Sequence, residues 1–194
     1  MLDRSAVTLG ILAGGQATRL GGLDKAWLLR EGVPQVLRLA AACVPVCATV
    51  LVSANRDLPR HAAHGLVALP DRQPGCGPLG GLDALAAACA TPWLFTLPVD
   101  MLEAGAPLLH GLAAAGRQGA VARDDEGVQP LVALYRVDAL RTATRAALAA
   151  GAYSVKALQA ALGLPVVTFA GQRFGNLNTP ADLLAAGCRA DGGH

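Results

Sequence analysis

The chain has no C-x-x-C pair, no stripe of basic residues, few aromatics and no apolar run suited to a membrane span. Its five cysteines (Cys43, Cys47, Cys76, Cys89 and Cys188) are odd in number, and Pro45 argues against Cys43 and Cys47 sharing a helical face. They read as reduced, mostly small buried residues of a cytosolic protein. The weakly charged run from Leu39 to Ala54 covers 16 residues and is broken by Pro45, too short for a bilayer. Met1 to Ser5 lead straight into a strand pattern without a signal-type apolar region, so the expectation is a soluble cytoplasmic enzyme. A net charge of +2 with dispersed arginines argues against nucleic acid as a partner. The four histidines form no metal-type cluster, and His61 and His64 read as surface residues. Lysine is nearly absent: it stands only at positions 25 and 156, against fourteen arginines. Placing one of them in a glycine loop suggests that a compact point charge is needed there.

What the chain does have is apolar character, 53% of residues and much of it alanine, which suits helices packed closely on a sheet. At 194 residues the expectation is one domain, 1–194, with a frayed tail from about 189. Apolar strands alternate with helical patterns, which predicts an α/β fold: a Rossmann-like three-layer sandwich with a mainly parallel sheet and helices on both faces. The expected strands are Val7–Leu12, Thr49–Ser53, Leu66–Leu69, Trp93–Leu97, Ala120–Arg123, Leu131–Tyr135 and Pro165–Phe169. Pro34 and Pro78 read as first helical residues before Gln35–Cys43 and Leu79–Ala90. Ala139–Ala150 precedes Gly151, a C-terminal stop, and Thr179-Pro180-Ala181-Asp182 carries an N-cap threonine and an acidic third residue. Asp124 to Gly127 reads as a solvated turn.

The stretch from Gly10 to Lys25 carries the chemistry. A strand runs into a loop with Gly14, Gly15, Gly21 and Gly22, together with Arg19 and Lys25. Glycines let backbone N–H groups approach a ligand and form an anion-binding concavity. Two cations beside it point to a polyphosphate. The spacing matches neither the dinucleotide fingerprint nor the P-loop, because Ala26 follows Lys25. A glycine-rich turn without a ligand would need fewer glycines and no paired cations.

Asp71 and Asp100 stand just past apolar strands, where open α/β sheets bind ligands. A carboxylate beside a polyphosphate calls for a divalent cation between them, and Mg²⁺ takes one or two carboxylates plus phosphate oxygens. Asp100 is the first choice for that ligand. Asp71 is equally readable as a turn residue. Gly80 and Gly81 either approach a nucleotide or allow close helix–sheet packing. Cys76 has no His partner for covalent catalysis.

The run Leu12-Ala13-Gly14-Gly15-Gln16-Ala17-Thr18-Arg19-Leu20-Gly21-Gly22-Leu23-Asp24-Lys25 resembles the signature of molybdenum cofactor guanylyltransferases, L-A-G-G-x-x-x-R-M-G-G-x-D-K. Leu20 replaces the usual methionine. Leu97-Pro98-Val99-Asp100-Met101 resembles the family's metal-site segment but lacks the following proline, and Gly77-Pro78-Leu79-Gly80-Gly81 resembles its G-P-L-x-G stretch. Ser53 stands where asparagine is common, while Asn55 keeps the local pattern. Asn176-Leu177-Asn178-Thr179-Pro180 resembles the N-x-N-T-P run associated with the pterin side, although Asn178 and Thr179 also suit a turn and cap. Gln129-Pro130-Leu131 falls on a further, weaker family segment.

The resemblance implies a nucleotidyltransferase-type fold that moves GMP from GTP onto molybdenum-molybdopterin with Mg²⁺, releasing pyrophosphate. It implies nucleotide contacts from Leu12, Ala13, Gly14, Gly15, Gly22, Lys25, Ser53, Asp71, Gly77 and Asp100. Arg19, Lys25 and Asp100 would be catalytic, Asp100 would hold the metal, and Asn176 and Asn178 would face the pterin. Family members handle a fragile cofactor, so transient contact with molybdoenzymes or their chaperones is also expected. The alternatives are a molybdopterin cytidylyltransferase or other nucleotidyltransferase, and a non-catalytic GTP-binding regulatory module.

Overall fold

A computed structural model describes residues 2–14 and 23–190 of the chain. In chain order the strands and helices are β1 (Val7–Leu12), β2 (Leu29–Arg30), β3 (Val33–Pro34), α1 (Gln35–Cys43), β4 (Thr49–Ser53), α2 (Leu58–Ala63), β5 (Val67–Leu69) and α3 (Pro78–Ala88). They continue with β6 (Trp93–Pro98), α4 (Ala106–Ala115), β7 (Gly119–Asp124), β8 (Gly127–Arg136), α5 (Val137–Ala149), α6 (Val155–Ala161), β9 (Val166–Thr168), α7 (Pro180–Ala185) and β10 (Cys188–Arg189). Seven strands form one sheet in the order β5-β4-β1-β6-β8-β7-β9, in which β8 alone runs antiparallel to its neighbours. The expected mainly parallel α/β sandwich is observed.

Every residue of β1 is buried, as a strand covered on both faces requires. Leu9 and Ile11 pack with Phe95, Leu97, Leu39 and Leu108 on one face, beneath α1 and α4. Leu12 and Leu94 pack with Leu79, Leu82, Leu85, Leu140 and Leu158 on the other, beneath α3, α5 and α6. Alternation along the strands therefore divides the core into the two layers of a three-layer fold.

Several expectations shift. Helices α2, α4 and α6 lie outside the sequence-based assignment, as does a small sheet of order β10-β2-β3. Its β2–β3 hairpin turns through Glu31 and Gly32, both at positive φ (54° and 77°), which suits a two-residue hairpin turn. Pro34 ends β3 and caps α1 rather than opening it. Arg189, placed in the frayed tail by the sequence, pairs with Leu29. His61 is fully buried against Trp27, with ring centroids 4.8 Å apart, so it is not a surface residue; His64 is exposed. Asp124 is likewise buried, whereas Asp125 and Glu126 are exposed. The Asp124 carboxylate satisfies backbone N–H groups and so closes the β7–β8 turn from inside. Among the described residues, no helix is long and apolar enough to cross a membrane.

Candidate nucleotide site at the carboxyl edge of the sheet

Parallel strands β4, β1 and β6 end together, and their following residues form the floor of a cavity of about 540 Å³. That size lies within the range of small-molecule sites. Backbone hydrogen bonds hold the floor together: the Ala13 N–H donates to Ser53 O (2.8 Å), Ala54 N–H to Leu69 O (3.0 Å) and Val99 N–H to Leu12 O (3.0 Å). The sequence-predicted residues Leu12, Ala13, Gly14, Lys25, Ser53, Asp71, Gly77 and Asp100 all line this cavity. Gly15, Arg19 and Gly22 lie outside the described residues.

Two polar clusters flank the floor. At one end, Lys25 begins a 3-10 turn, Lys25–Trp27, capped by the Asp24 carboxylate on the Ala26 N–H. Lys25 Nζ donates to Asp100 Oδ2 (2.8 Å) and to Asn178 Oδ1 (2.6 Å). The Lys25 and Asp100 side chains are 17% and 20% exposed, so the pair is screened less than a surface ion pair but stays accessible to a ligand. At the other end, Asn55 holds Asp71 twice: Asn55 Nδ2 donates to Asp71 Oδ2 (3.0 Å), and the Asp71 N–H donates to Asn55 Oδ1 (2.8 Å). Ser53 Oγ lies 3.5 Å from Asp71 Oδ1.

Glycines at the start of α3 let these groups approach. A Cβ on Gly81 would lie 2.6 Å from Ser53 Oγ and 2.8 Å from Leu12 Cδ2; one on Gly80 would lie 3.2 Å from Asp71 Cγ. Both glycines thus allow close packing, and what packs there is the site itself. Gly77 caps α3 at φ 58°, directly before Pro78.

Some of the site was not legible in the sequence. Leu131 lines the cavity as the weak Gln129–Leu131 segment allowed, whereas Gln129 instead bonds the Asp124 carboxylate. Asn178 is present through Lys25, but Asn176 is not among the described residues that line the cavity. Arg56, next to Asn55, and Asp24, the signature's own aspartate, also line it, although neither was given a role in the site. Buried Asp83 of α3 accepts from Arg72 (3.2 Å) and Thr144 (2.9 Å), tying the residue after Asp71 to α5. Nothing in the sequence spacing signals that tie.

Chemically, the cavity offers a hard carboxylate oxygen and a fixed cation at a strand-end loop. Among the described residues, no group of three or more His, Cys, Asp or Glu side chains could hold a resident metal. A single carboxylate fits a Mg²⁺ ion that shares its coordination with phosphate oxygens and water, because such ions need only one or two protein ligands. Cys76 is buried, with its thiol against Gln73 Oε1 and Pro74 O.

Comparison with known proteins identifies the family. Residues 9–164 match the family model of the MobA-like NTP transferase domain. The chain is 40% identical over 182 residues to a molybdenum cofactor guanylyltransferase from Acidiphilium cryptum, covering 91% of each protein. It is 33% identical over 196 residues to one from Cupriavidus taiwanensis, covering 95% of this chain and 98% of that protein. Molybdopterin-guanine dinucleotide biosynthesis protein A from Archaeoglobus fulgidus superposes with a TM-score of 0.70 at 20% identity, over 92% of this chain and 96% of that one. A 2-C-methyl-D-erythritol 4-phosphate cytidylyltransferase from Thermus thermophilus shares the fold with a TM-score of 0.65 at 21% identity, over 91% and 95%. On its identity to these relatives and its match over most of its length, the chain belongs to the molybdenum cofactor guanylyltransferases, within the MobA-like NTP transferase family.

Proposed function

We propose that the chain transfers GMP from GTP to molybdenum-bound molybdopterin, forming the guanine dinucleotide cofactor and pyrophosphate. The observation that carries this reading is the Lys25–Asp100 pair lining the cavity at the ends of the parallel strands. The acceptor's phosphate oxygen forms a bond to the α-phosphorus as the bond to the β-phosphate oxygen breaks, and pyrophosphate leaves. No protein nucleophile is required, so the chain contributes positioning and charge.

Ser53, Asp71 and Gly77, which line the cavity beside β4 and the start of α3, would hold the nucleoside portion. Lys25 Nζ neutralises charge on the triphosphate and on the departing pyrophosphate, and Arg19 is proposed to do the same. Asp100 would hold Mg²⁺, which when bound supplies Lewis-acid polarisation of phosphate oxygens. Asn178, which accepts from Lys25, and Asn176 near it in sequence would face the pterin. All five cysteines are free and buried, which accords with a reducing, cytoplasmic setting.

The test is pyrophosphate release from GTP, CTP, ATP and UTP with Mg²⁺ and molybdenum-loaded molybdopterin. Release with GTP alone, abolished in Asp100→Ala, is expected. Release with CTP would assign a cytidylyltransferase, and GTP binding without release would assign a regulatory module.

A further inference from the structure

Residues 172–178 contain neither helix nor strand, yet they carry Asn178 to the catalytic lysine. Their placement depends on a few long-range bonds. The Asp124 carboxylate, at the carboxyl end of β7, is 4% exposed and divided between two tasks. Oδ1 accepts from the Glu126 N–H (3.0 Å), the Gly127 N–H (3.1 Å) and Gln129 Nε2 (3.0 Å), which closes the β7–β8 turn. Oδ2 accepts from the Phe174 N–H (3.1 Å). Phe174 O in turn accepts from the Leu102 N–H (2.9 Å), and the Leu177 N–H donates to Asp100 O (3.1 Å). The next residue is Asn178. Phe174 and Leu177 are 5% and 0% exposed, so the segment is pressed into the protein at both points.

We propose that Asp124 is a positioning residue for the active site: it anchors the Phe174–Asn178 segment and thereby sets Asn178 on Lys25. The reading rests on the function proposed above, since it assigns Lys25 a role in catalysis. A buried carboxylate suits the task because it offers acceptors on both oxygens without a competing donor. Burial works against its charge, but the bonds from Gln129 and from the Phe174, Glu126 and Gly127 amides outweigh that cost and hold its pKa below the ordinary carboxylate value. The other polar cluster of the cavity, at Ser53, Asn55 and Asp71, bonds within itself rather than to this segment.

Asp124→Asn separates the two tasks. An asparagine oxygen can still accept from the turn, but its amide nitrogen then faces the Phe174 N–H, donor against donor. In nucleotide-free protein, amide exchange at Phe174 and Leu177 should accelerate. Lys25 should also acetylate at least about twofold faster relative to Lys156, an exposed internal reference, since a freed amine reacts more readily. In turnover, kcat should fall about tenfold or more with KM for GTP held within about twofold, as expected for misplaced positioning. In an Asn178→Ala background, Asp124→Asn should add little further loss.

Unchanged exchange and acetylation in the variant would overturn the proposal. So would unchanged kcat, or losses that add fully to those of Asn178→Ala. If the variant fails to fold, exchange in the unaltered protein decides: a Phe174 amide as fast as a free loop amide overturns the anchor, and strong protection supports it. Absence of guanylyl transfer by the unaltered protein, with exchange and acetylation behaving as expected, would instead refute the functional reading while the anchor stands.

Discussion

Gly81→Ala tests whether the start of α3 is glycine because the site needs the space. Inside a helix, alanine is favoured over glycine by about 1 kcal/mol. Against this stand two contacts, at 2.6 Å to Ser53 Oγ and 2.8 Å to Leu12 Cδ2. Ser53 is 1% exposed and Leu12 8%, so neither side chain can withdraw into solvent. Overpacking of this kind costs about 1–3 kcal/mol. The contact therefore outweighs propensity, and the variant should lose about 1 kcal/mol, lowering Tm by about 2–4 °C for a chain of this size. Ser53 and Leu12 both line the cavity, so KM for GTP should rise in parallel. Thermal unfolding and a GTP titration on one preparation provide the assay. Adding Ser53→Ala removes the nearer clash and should make the double variant less destabilised than the sum of the two changes. A raised Tm with unchanged KM for GTP would refute the packing argument.

Three further outcomes are expected. Lys25→Ala should lower turnover about 10²-fold or more by removing fixed charge from the transition state, while stability moves by only about 1 kcal/mol because the pair is partly exposed; retained turnover with an unchanged melting curve would remove Lys25 from the mechanism. His61 is buried with neither ring nitrogen hydrogen-bonded among the described residues, and burial holds its pKa below the ordinary 6.5, against partial opposition from Asp24 and Asp57. Below 6.5 the unfolded chain binds a proton that the folded chain resists, so stability should fall as pH drops from there toward the folded value. His61→Phe should flatten urea-unfolding stability between about pH 7 and pH 5, whereas Asp124 and Asp182, both held below 3.8, should contribute only to losses in the more acidic window. Burial raises the Cys43 and Cys47 thiols to about 12, so native protein at pH ~8 should leave both unlabelled by a thiol reagent and urea should expose them; rapid native labelling would contradict the packing.

The strands that build the site were the most legible part of the fold. Strands Val7–Leu12 and Thr49–Ser53, and helix Gln35–Cys43, have the bounds that their sequence patterns indicate. Short or atypical elements were not legible. Helix α2 has six residues and begins after Asp57 at φ 51°, and α4 contains Gly111, whose missing Cβ makes room for the Phe169 ring. The β2–β3 turn needs Glu31 at positive φ, which its side chain does not advertise. In the site, local motifs located Gly14, Lys25, Asp71 and Asp100, because strand ends place such residues together. The bond from Lys25 to Asn178 spans 153 positions and emerges only from tertiary packing. The same holds for Asp124: its neighbours in sequence look like an exposed turn, while its carboxylate belongs to a segment fifty residues away.

The most direct measurement follows the α-phosphate. GTP labelled at that phosphate is incubated with the protein, Mg²⁺ and molybdenum-loaded molybdopterin, and the products are separated. Label should appear in a pterin dinucleotide, in amounts equal to the pyrophosphate released, and should vanish with Lys25→Ala or Asp100→Ala. Label that stays in GTP, or that appears only as free GMP, would contradict guanylyl transfer to the pterin.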